Sequence, residues 1–486
     1  MKPVIIISIA FLLLISGMAV INSCGQSSKP VALPTTYHPT IDAYDGWHLA
    51  VQAWTFKKFT FYETVDKAAA AGLDWIEAYP GQKLSPDQPD EKMHHSISTE
   101  LQAQVKQKLA NSGVRVINYG VVPLPNDEAA CREVFDFAKA MGIQTLQSEP
   151  PDDAFDLIDK LCQEYQINVA IHNHPEPTHY WNPDIVLKAL EGRSQWLGAG
   201  CDTGHWMRSG INPIDALQKL KGRVKAVHLK DLNEFGVKEA HDVVWGAGKA
   251  NIAGILAELH AQGYKGSFSI EYEYNWDNSF PEVAACVQYF NTEAAKLNPT
   301  GWTDLIAPDL SNCTLPANSW SWDNFQLTRN GGGYIWMNEQ YGDFILDLEY
   351  KVSPGANSGV FFRTADVNDY VNTGIEVQIH DSTDGTKYGM NGAIYDCLPP
   401  SKNMSKPAGE WNHYTITCQA NKIYVVLNGA QIIDMDLNQW TEARKNPDGT
   451  PNKFRTAYKD MARDGHIGLQ DHGQPVWFRN LKIKEL

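Results

Sequence analysis

The sequence predicts two domains of different fold class, a (β/α)8 TIM barrel followed by an all-β jelly-roll sandwich. Strand-like and helix-like patterns alternate over residues 45–297, and short period-two runs with Gly, Asn and Asp turns fill residues 298–486. The chain has 486 residues, which exceeds one ordinary domain. Hydrophobic residues make up 43% and charged residues 20%, a globular composition that excludes wholesale disorder, collagen and a coiled coil.

Eight strand-like runs support the barrel. The predicted strands are His48–Trp54, Trp75–Ala78, Val114–Tyr119, Gln144–Gln147, Asn168–His172, Leu197–Cys201, Val224–Leu229 and Ser267–Glu271. The helix-like stretches between them include Tyr62–Ala71, Thr99–Asn111, Glu128–Met141, Ala154–Tyr165, Pro183–Leu190 and Ile252–Ala261. This alternation indicates a parallel sheet, and eight units favour a closed barrel. An open doubly wound sheet is the alternative, which is weakened because no glycine-rich dinucleotide turn follows the first strand.

The second domain shows the alternation of half-buried strands. Its predicted strands are Phe344–Val352, Gly359–Thr364, Ile375–His380, His413–Gln419, Lys422–Leu427, Gln431–Met435, His466–Gln470 and Val476–Ile483. Regular short strands with turn residues between them are typical of an antiparallel sandwich or jelly roll. Asn428-Gly429 between two of these strands predicts a tight hairpin.

The N-terminus predicts a membrane-anchored envelope protein. A basic start is followed by the apolar run Val4–Ile21, and Ile21-Asn22-Ser23-Cys24 resembles the bacterial lipoprotein cleavage box. The resemblance implies that residues 1–23 are a signal peptide and that Cys24 carries the lipid. Residues 24–44, rich in Ser, Pro and Thr, then form a linker. No acidic run follows Cys24, which favours a periplasm-facing outer-membrane lipoprotein; an uncleaved anchor or a plain signal peptide is the alternative.

Charge and cysteine usage exclude several classes of partner and cofactor. Lys and Arg number 41 against 57 Asp and Glu, a formal charge of −16, which argues against nucleic-acid binding. Membrane contact is expected through the lipid anchor only. The seven cysteines after Cys24 lack CxxC spacing, so we expect small buried side chains rather than a disulfide framework or a thiolate zinc site. The 15 Trp and 20 Tyr suit sugar stacking.

Carboxylate and imidazole groups follow five consecutive barrel strands, at the ends where barrels carry their active sites. They are Glu149 after the fourth strand, His172 and His174 at the fifth, Asp202 and His205 at the sixth, His228, Lys230 and Asp231 at the seventh, and Glu271 at the eighth. A single histidine at a strand end is usually structural, but five such positions favour a metal site. The mixed oxygen and nitrogen donors suit Mn²⁺, Mg²⁺, Co²⁺ or Zn²⁺. Such an ion polarises a carbonyl group while a nearby side chain moves a proton.

At these positions the first domain resembles the xylose isomerase-like barrels of the sugar phosphate isomerase/epimerase superfamily. The matching motifs are Asp202-x-x-His205, His228-x-Lys230-Asp231 and Glu271. The resemblance implies that Asp202, His228 and Glu271 bind the metal. The fifth strand departs from the family, because His172 stands where a Glu is usual. Either His172 replaces that ligand or Glu149 reaches in from the fourth strand, and the departure puts ordinary isomerase or epimerase chemistry in question.

Further barrel residues are candidates for handling the substrate. His174 and His205 are interpreted as proton-transfer or substrate-orienting groups. Lys230, His241 and Trp206 are predicted to contact the sugar, with plain packing as the alternative for His241 and Trp206.

Polar side chains share one face of two predicted strands in the second domain. Alternation puts Glu376, Gln378 and His380 on one side of their strand, and His466, Gln470 and His472 together on another. Arg363 ends a third strand. Such a face suits several sugar hydroxyls; a solvated sheet face is the alternative.

The second domain resembles the 3-keto-disaccharide hydrolase family, which is similar to concanavalin-like jelly rolls. The motifs that carry this resemblance are Trp302-Thr303-Asp304-Leu305, Tyr341-Gly342-Asp343-Phe344, Asn357-Ser358-Gly359-Val360-Phe361-Phe362-Arg363, Glu376-x-Gln378-Ile379-x-Asp381, Gly392-Ala393-Ile394-Tyr395, Gly409-Glu410-Trp411-Asn412, Gly465-His466-Ile467-Gly468-Leu469-Gln470-Asp471-His472 and Phe478-Arg479-Asn480. The resemblance implies action on glycosides already oxidised at C3.

A 3-keto group acidifies the C2 proton, so that a base can remove it and the anomeric group can leave. From residue type, Glu376 or His472 is the candidate base and Arg363 the candidate oxyanion stabiliser. The candidate substrate-binding residues are Gln378, His380, Tyr395 and Gln470.

These observations predict a lipid-anchored carbohydrate-active enzyme. Its barrel is expected to act as a metal-dependent sugar isomerase, epimerase or lyase, and its sandwich to cleave 3-keto-glycosides by elimination or hydrolysis. A barrel enzyme with a non-catalytic carbohydrate-binding sandwich is the alternative, and a solute-binding lipoprotein with an inactive barrel is a third reading. Since no nucleotide-binding motif is present, a separate glycoside 3-dehydrogenase is expected to supply the keto substrate.

Overall fold

The computed structural model describes residues 46–297, 301–323, 326–381 and 387–486. The predicted signal peptide, the predicted lipidation site Cys24 and the whole predicted linker lie outside the described residues. Among the helices that the structure describes, none has both the length and the apolar character needed to cross a membrane.

The first part of the chain is a closed barrel of eight parallel strands. In chain order, its strands and the two small hairpins beside them are β1 (Trp47–Gln52), β2 (Trp75–Ala78), β3 (Lys83–Ser85), β4 (Gln88–Lys92), β5 (Arg115–Tyr119), β6 (Thr145–Ser148), β7 (Asn168–His172), β8 (Leu197–Asp202), β9 (Val224–Leu229), β10 (Asp231–Leu232), β11 (Asp242–Val243) and β12 (Gly266–Ile270). Around the barrel the strands follow the order β1-β12-β9-β8-β7-β6-β5-β2. The prediction of a TIM barrel is confirmed.

Helices surround the barrel. They are α1 (Phe61–Ala70), α2 (Thr99–Ser112), α3 (Glu128–Met141), α4 (Phe155–Tyr165), α5 (Pro183–Ala189), α6 (Thr203–Arg208), α7 (Pro213–Lys219), α8 (Ile252–Ala261) and α9 (Phe280–Leu297). Local sequence explains where several of them begin and end. Thr60 and Glu63 form a reciprocal capping box at the start of α1. Gly113 and Gly142 adopt left-handed conformations that end α2 and α3.

The strands predicted for the barrel are all present, and the largest difference is at β1. The predicted run reached Trp54, but the strand ends at Gln52 and a short 3-10 helix, Ala53–Phe56, follows. The Gln52 side chain accepts a hydrogen bond from the Trp54 backbone N–H, which starts this turn. The seven described cysteines are free, and six of them are buried, in line with the expectation of small buried side chains.

The second part of the chain is a sandwich of two antiparallel sheets. In chain order its strands are β13 (Trp302–Asp304), β14 (Cys313–Thr314), β15 (Trp320–Asp323), β16 (Gln326–Arg329), β17 (Ile335–Tyr341), β18 (Phe344–Val352), β19 (Asn357–Thr364), β20 (Ile375–His380), β21 (Asn412–Gln419), β22 (Lys422–Leu427), β23 (Ala430–Asp436), β24 (Gly465–Leu469) and β25 (Val476–Glu485). Short helical turns occur at Val367–Asp369, Leu437–Gln439, Tyr458–Asp460 and, as α10, Tyr370–Thr373.

The larger sheet runs β15-β16-β25-β18-β21-β22-β23, with β13 beside β25, and the smaller sheet runs β14-β17-β24-β19-β20. A core of buried apolar side chains, among them Leu348, Val360 and Ile416, fills the space between them. The predicted hairpin is confirmed, because Asn428 and Gly429 both have positive φ between the paired strands β22 and β23. The all-β sandwich is therefore confirmed as well.

Candidate active sites in the barrel and the sandwich

Four potential metal ligands converge at the C-terminal mouth of the barrel, and we call them the ligand cluster: His172, Asp202, His228 and Glu271. They come from the ends of β7, β8, β9 and β12. One donor atom of each lies within 4.8 Å of the others. The cluster brings together four of the five predicted ligands.

The donor spacing fits a divalent ion. His228 Nδ1 lies 2.9 Å from Glu271 Oε2, 3.3 Å from His172 Nε2 and 3.8 Å from Asp202 Oδ2. Metal–ligand bonds of about 2.0–2.2 Å separate neighbouring donor atoms by about 3–3.5 Å, close to these distances. Within the described part of the chain, Asp202 Oδ2 and Glu271 Oε2 are buried carboxylate oxygens that point into the cluster and are contacted there by cationic or imidazole nitrogens only. The residues present therefore fit a metal ion with oxygen and nitrogen ligands.

Lys230 lies beside the ligand cluster, just after the end of β9, and its side chain is completely buried. Its Nζ lies 3.0 Å from Asp202 Oδ2, 2.9 Å from Glu271 Oε2 and 2.8 Å from Glu273 Oε2. Burial by itself lowers the pKa of Lys230, but attraction to these carboxylates outweighs burial and raises that pKa well above its ordinary value. The structure thus places the predicted sugar contact among three carboxylates, where its charge neutralises theirs.

Glu77 on β2 orients His228, and sequence reasoning missed it. His228 Nε2 lies 2.9 Å from Glu77 Oε1, so the opposite ring nitrogen faces the ligand cluster. Glu77 also accepts hydrogen bonds from Gln147 at 2.8 Å and Asn118 at 3.1 Å. Burial opposes ionisation of Glu77, but His228 and these donors outweigh it and lower its pKa. The available signal was a single acidic residue inside the apolar run Trp75–Ala78.

At the fifth strand, the geometry separates the two candidate ligands, His172 and Glu149. His172 joins the ligand cluster, whereas Glu149 contacts His174 and lies 3.6 Å from His172 Nδ1. Burial by itself raises the pKa of Glu149, but its interactions with the neighbouring imidazoles of His172 and His174 lower it to about 2. Burial lowers the pKa of His172, which favours the neutral imidazole that binds metals.

The candidate site of the sandwich centres on Glu376 of β20. This carboxyl is 8% exposed, and Gln470 Nε2 donates a hydrogen bond to its Oε1 at 3.1 Å. Gly359 on the paired strand makes room for it, because a Cβ there would lie 2.3 Å from Glu376 Oε1. Burial raises the pKa of Glu376 to about 7, with Lys453 and Gln470 only partly opposing the shift.

Polar and aromatic groups surround Glu376 on the same sheet face. Gln378 and Gln470 each present a buried amide oxygen that has no hydrogen-bond partner among the described residues. Phe361 lies directly opposite Glu376 in the register of β19 and β20. It packs in an aromatic group whose other members are Tyr334, Trp336 and Tyr370. The face therefore combines one base with unsatisfied polar atoms and flat apolar rings.

Two family models match the chain in the regions of these sites. A model described as a xylose isomerase-like TIM barrel matches residues 65–289, and one described as a 3-keto-alpha-glucoside-1,2-lyase-like domain matches residues 324–484. The chain joins a xylose isomerase-like TIM barrel to a 3-keto-disaccharide hydrolase domain. The two family resemblances seen in the sequence are thereby confirmed.

Individual proteins are similar to parts of the chain. A 3-keto-disaccharide hydrolase from Bacteroides thetaiotaomicron is 28% identical over 181 residues, which cover 32% of this chain and 62% of that protein. An inosose dehydratase from Clostridium beijerinckii is 28% identical over 136 residues, which cover 25% of this chain and 45% of that protein. A candidate glycosyl hydrolase from Parabacteroides distasonis ATCC 8503, known from a crystal structure, is 34% identical in sequence to the matched part of this chain. The match covers 38% of this chain and 99% of that protein, with a TM-score of 0.37. The chain spans less than two thirds of either curated relative.

The other predicted residues of the xylose isomerase-like barrel lie in different surroundings. His205 Nε2 is 3.5 Å from Asp202 Oδ2, and burial lowers the pKa of His205 well below its ordinary value. Trp206 is 1% exposed and belongs to the apolar core, so the predicted sugar platform is wrong and the packing alternative holds. His241 stacks on the exposed ring of Tyr274 with centroids 4.4 Å apart.

Arg363 of the 3-keto-disaccharide hydrolase domain does not reach the polar face. The register shifts between Phe361 and Thr364, and Arg363 has a φ of 50°. This irregularity breaks the alternation on which the prediction relied. The guanidinium donates to the carbonyl oxygens of Gly342 and Ala420 and to Asp343, so it braces turns rather than facing Glu376.

The remaining predicted residues of this domain divide between the face and its edges. Gln378, Gln470 and Tyr395 lie at Glu376, with the Tyr395 backbone N–H donating to the Glu376 carbonyl oxygen at 3.0 Å. His380 ends β20, and its backbone N–H donates to Asn391 at 3.1 Å. His472 is exposed in the loop after β24, so Glu376 is the better-placed base.

Proposed function

We propose that this chain is a carbohydrate-processing enzyme with a separate catalytic site in each domain. The 3-keto-disaccharide hydrolase domain would cleave glycosides already oxidised at C3. The observation that carries this proposal is Glu376, a buried carboxyl group whose pKa is raised to about 7 and which lies on a polar and aromatic sheet face. A base with a pKa near the working pH is suited to proton abstraction.

The proposed reaction uses Glu376 as the base. Its carboxylate takes the C2 proton of the 3-keto sugar, the electron pair moves into an enolate, and the C1–O bond breaks with the pair leaving on the glycosidic oxygen. The product is an unsaturated keto sugar, to which water can add at C1. The amide oxygens of Gln378 and Gln470, which have no partner among the described residues, are placed to accept hydrogen bonds from the sugar hydroxyl groups.

Glu376→Gln tests this proposal in the full chain, with the exposed Glu410→Gln as matched control. Release of a chromogenic aglycone from a 3-keto-glucoside is expected to fall about 10²–10⁴-fold in the first variant and to stay unchanged in the second. The wild-type rate should rise with pH through about 7, because the base acts as the carboxylate. Unaltered release by Glu376→Gln would favour the alternative of a non-catalytic binding module.

The xylose isomerase-like barrel would perform metal-dependent isomerase, epimerase or lyase chemistry on a sugar or keto-sugar. His172, Asp202, His228 and Glu271 would hold the ion. When bound, a divalent ion supplies a Lewis acid for the substrate carbonyl. His205 beside Asp202 is then the proposed proton acceptor, since its lowered pKa keeps the imidazole neutral at pH 7. His174, half-exposed at the mouth, is proposed to orient the substrate.

Hydrogen exchange tests the barrel without knowledge of its natural sugar. Mg²⁺ or Zn²⁺ should increase deuterium incorporation from D₂O next to the carbonyl of a keto-sugar by the full chain, and this metal-dependent part of the exchange, measured by mass spectrometry, separates the barrel from proton exchange by Glu376. Asp202→Asn should lose this exchange, while the exposed Asp215→Asn should keep it. Equal exchange by both variants would contradict the proposed site.

We also propose a lipidated, periplasm-facing protein that receives its substrate from a separate glycoside 3-dehydrogenase. The sequence around Cys24 supports the anchor. Cys24→Ser should move the protein from the membrane fraction to the soluble fraction, and an unchanged membrane fraction would contradict lipidation there.

A further inference from the structure

A second set of metal-binding side chains lies beside the ligand cluster and shares one residue with it. Donor atoms of Glu149, His172 and His174 all lie within 4.8 Å of one another. Glu149 follows β6, and both histidines come from the end of the neighbouring strand β7. The imidazole rings of His172 and His174 have centroids 4.7 Å apart.

His172 presents one ring nitrogen to each set. Its Nε2 lies 3.3 Å from His228 Nδ1, inside the ligand cluster. Its Nδ1 lies on the other side of the ring, 3.6 Å from Glu149 Oε1. The His172 side chain is 2% exposed, and in the described part of the chain Nδ1 has no hydrogen-bond partner. A buried ring nitrogen without a partner is costly, so its direction toward Glu149 and His174 calls for a ligand.

We propose that Glu149, His172 and His174 bind a second divalent cation of the Zn²⁺ or Co²⁺ class. Two imidazoles and one carboxylate form the donor set of catalytic zinc sites, which leave a fourth position open. The open position would face the barrel mouth, because the side chains of Glu149 and His174 are 27% and 42% exposed. A cavity of about 570 Å³ adjoins Glu149 there, lined also by Pro150, Asp152 and Tyr180.

The arrangement puts the His172 ring between two ions, one in the ligand cluster and one at Glu149 and His174. A neutral imidazole has a lone pair on only one ring nitrogen, so His172 would bridge the two ions as an imidazolate, its remaining N–H proton passing to solvent when the second ion binds. The second ion would bind a substrate oxygen at the mouth. This inference depends on one part of the proposed function, namely that the ligand cluster binds the first ion.

Zinc stoichiometry tests the inference without any activity assay. The chelator-treated full chain is dialysed against buffered Zn²⁺, and bound zinc is measured by elemental mass spectrometry. We expect two ions in the wild type, one in His174→Gln and one in Asp202→Asn. Glu149→Gln provides a second variant of the new site, and circular dichroism checks that each variant is folded. His179→Gln, which changes an exposed histidine on the rim of the cavity, should keep two ions.

One ion in the wild type, lost in Asp202→Asn and kept in His174→Gln, would overturn the second site and leave the proposed barrel function standing. Two ions in both the wild type and His174→Gln would overturn it as well, because the second ion would then lie elsewhere. An absence of zinc from every form would overturn both proposals.

Discussion

The barrel and the sandwich place carboxyl groups under opposite electrostatic conditions. Asp202 and Glu77 are buried with Lys230 or His228 as cationic partners, and their pKa values are lowered. Burial raises the pKa of Glu376 to about 7, and the charge of Lys453 and the amide of Gln470 only partly oppose this shift. Burial is common to both sites, so the partners decide the direction. The carboxylates of the barrel therefore stay ionised and can bind a cation, whereas the Glu376 carboxyl group of the sandwich can take up or release a proton.

The largest expected effect comes from removing the barrel's internal cation. Lys230→Met would leave Asp202, Glu271 and Glu273 without their shared counter-charge. Breaking a buried pair costs about 3–5 kcal/mol, so the free energy of unfolding of the metal-free protein should fall by that amount in urea titrations. Lys219→Met, which breaks an exposed pair with Asp184, should cost less than about 1 kcal/mol. Equal losses of stability in the two variants would show that the buried Lys230 contributes no more to stability than an exposed lysine does.

In the sandwich, by contrast, removing the charge of Glu376 should stabilise the protein. The pKa of Glu376 is raised from 4.5 to about 7, so its contribution to stability is present below pH 4.5 and is lost as pH rises through about 7. Glu376→Gln should therefore gain up to about 3 kcal/mol relative to the wild type between pH 5 and pH 8. Unfolding titrations at both values test this, with Glu410→Gln as control. A difference that does not change with pH would show that Glu376 is not held in its neutral form.

A smaller effect is expected for Glu77, which orients the predicted metal ligand His228 without belonging to the ligand cluster. Glu77→Gln removes the carboxylate that fixes His228. Loss of such a partner typically weakens metal affinity about 10–100-fold, measurable by competition with a chelator. The exposed Glu91→Gln provides the control. Unchanged affinity would mean that Gln147 and the barrel packing orient His228 without Glu77.

Much of the fold follows from periodicity. Asn168–His172 and Val224–Leu229 are predicted to the residue, because buried parallel strands give continuous apolar runs bounded by polar ends. The strands β13 to β17 could not be predicted, since they are short or lack clean alternation. The hairpin β3–β4 was also missed, because Gln88–Lys92 is almost entirely polar and exposed.

The residues of the candidate sites could be predicted where the place of a residue in its strand determines where its side chain lies. His172, Asp202, His228 and Glu271 meet because the ends of parallel strands share one side of the barrel. Arg363 failed because a register shift, invisible in the sequence, turned it away. Glu77 was missed because its partner His228 lies 151 positions away in the sequence. Such long-range pairs need the closed barrel to be known.

The central claim, that the two domains carry separate active sites, is tested most directly by a crossed assay of two full-length variants. Glu376→Gln and Asp202→Asn are each measured for aglycone release from a 3-keto-glucoside and for metal-stimulated deuterium exchange into a keto-sugar. We expect Glu376→Gln to lose release and keep exchange, and Asp202→Asn to lose exchange and keep release. Loss of both reactions in Asp202→Asn, with both retained in Glu376→Gln, would contradict the account and place all the chemistry in the barrel.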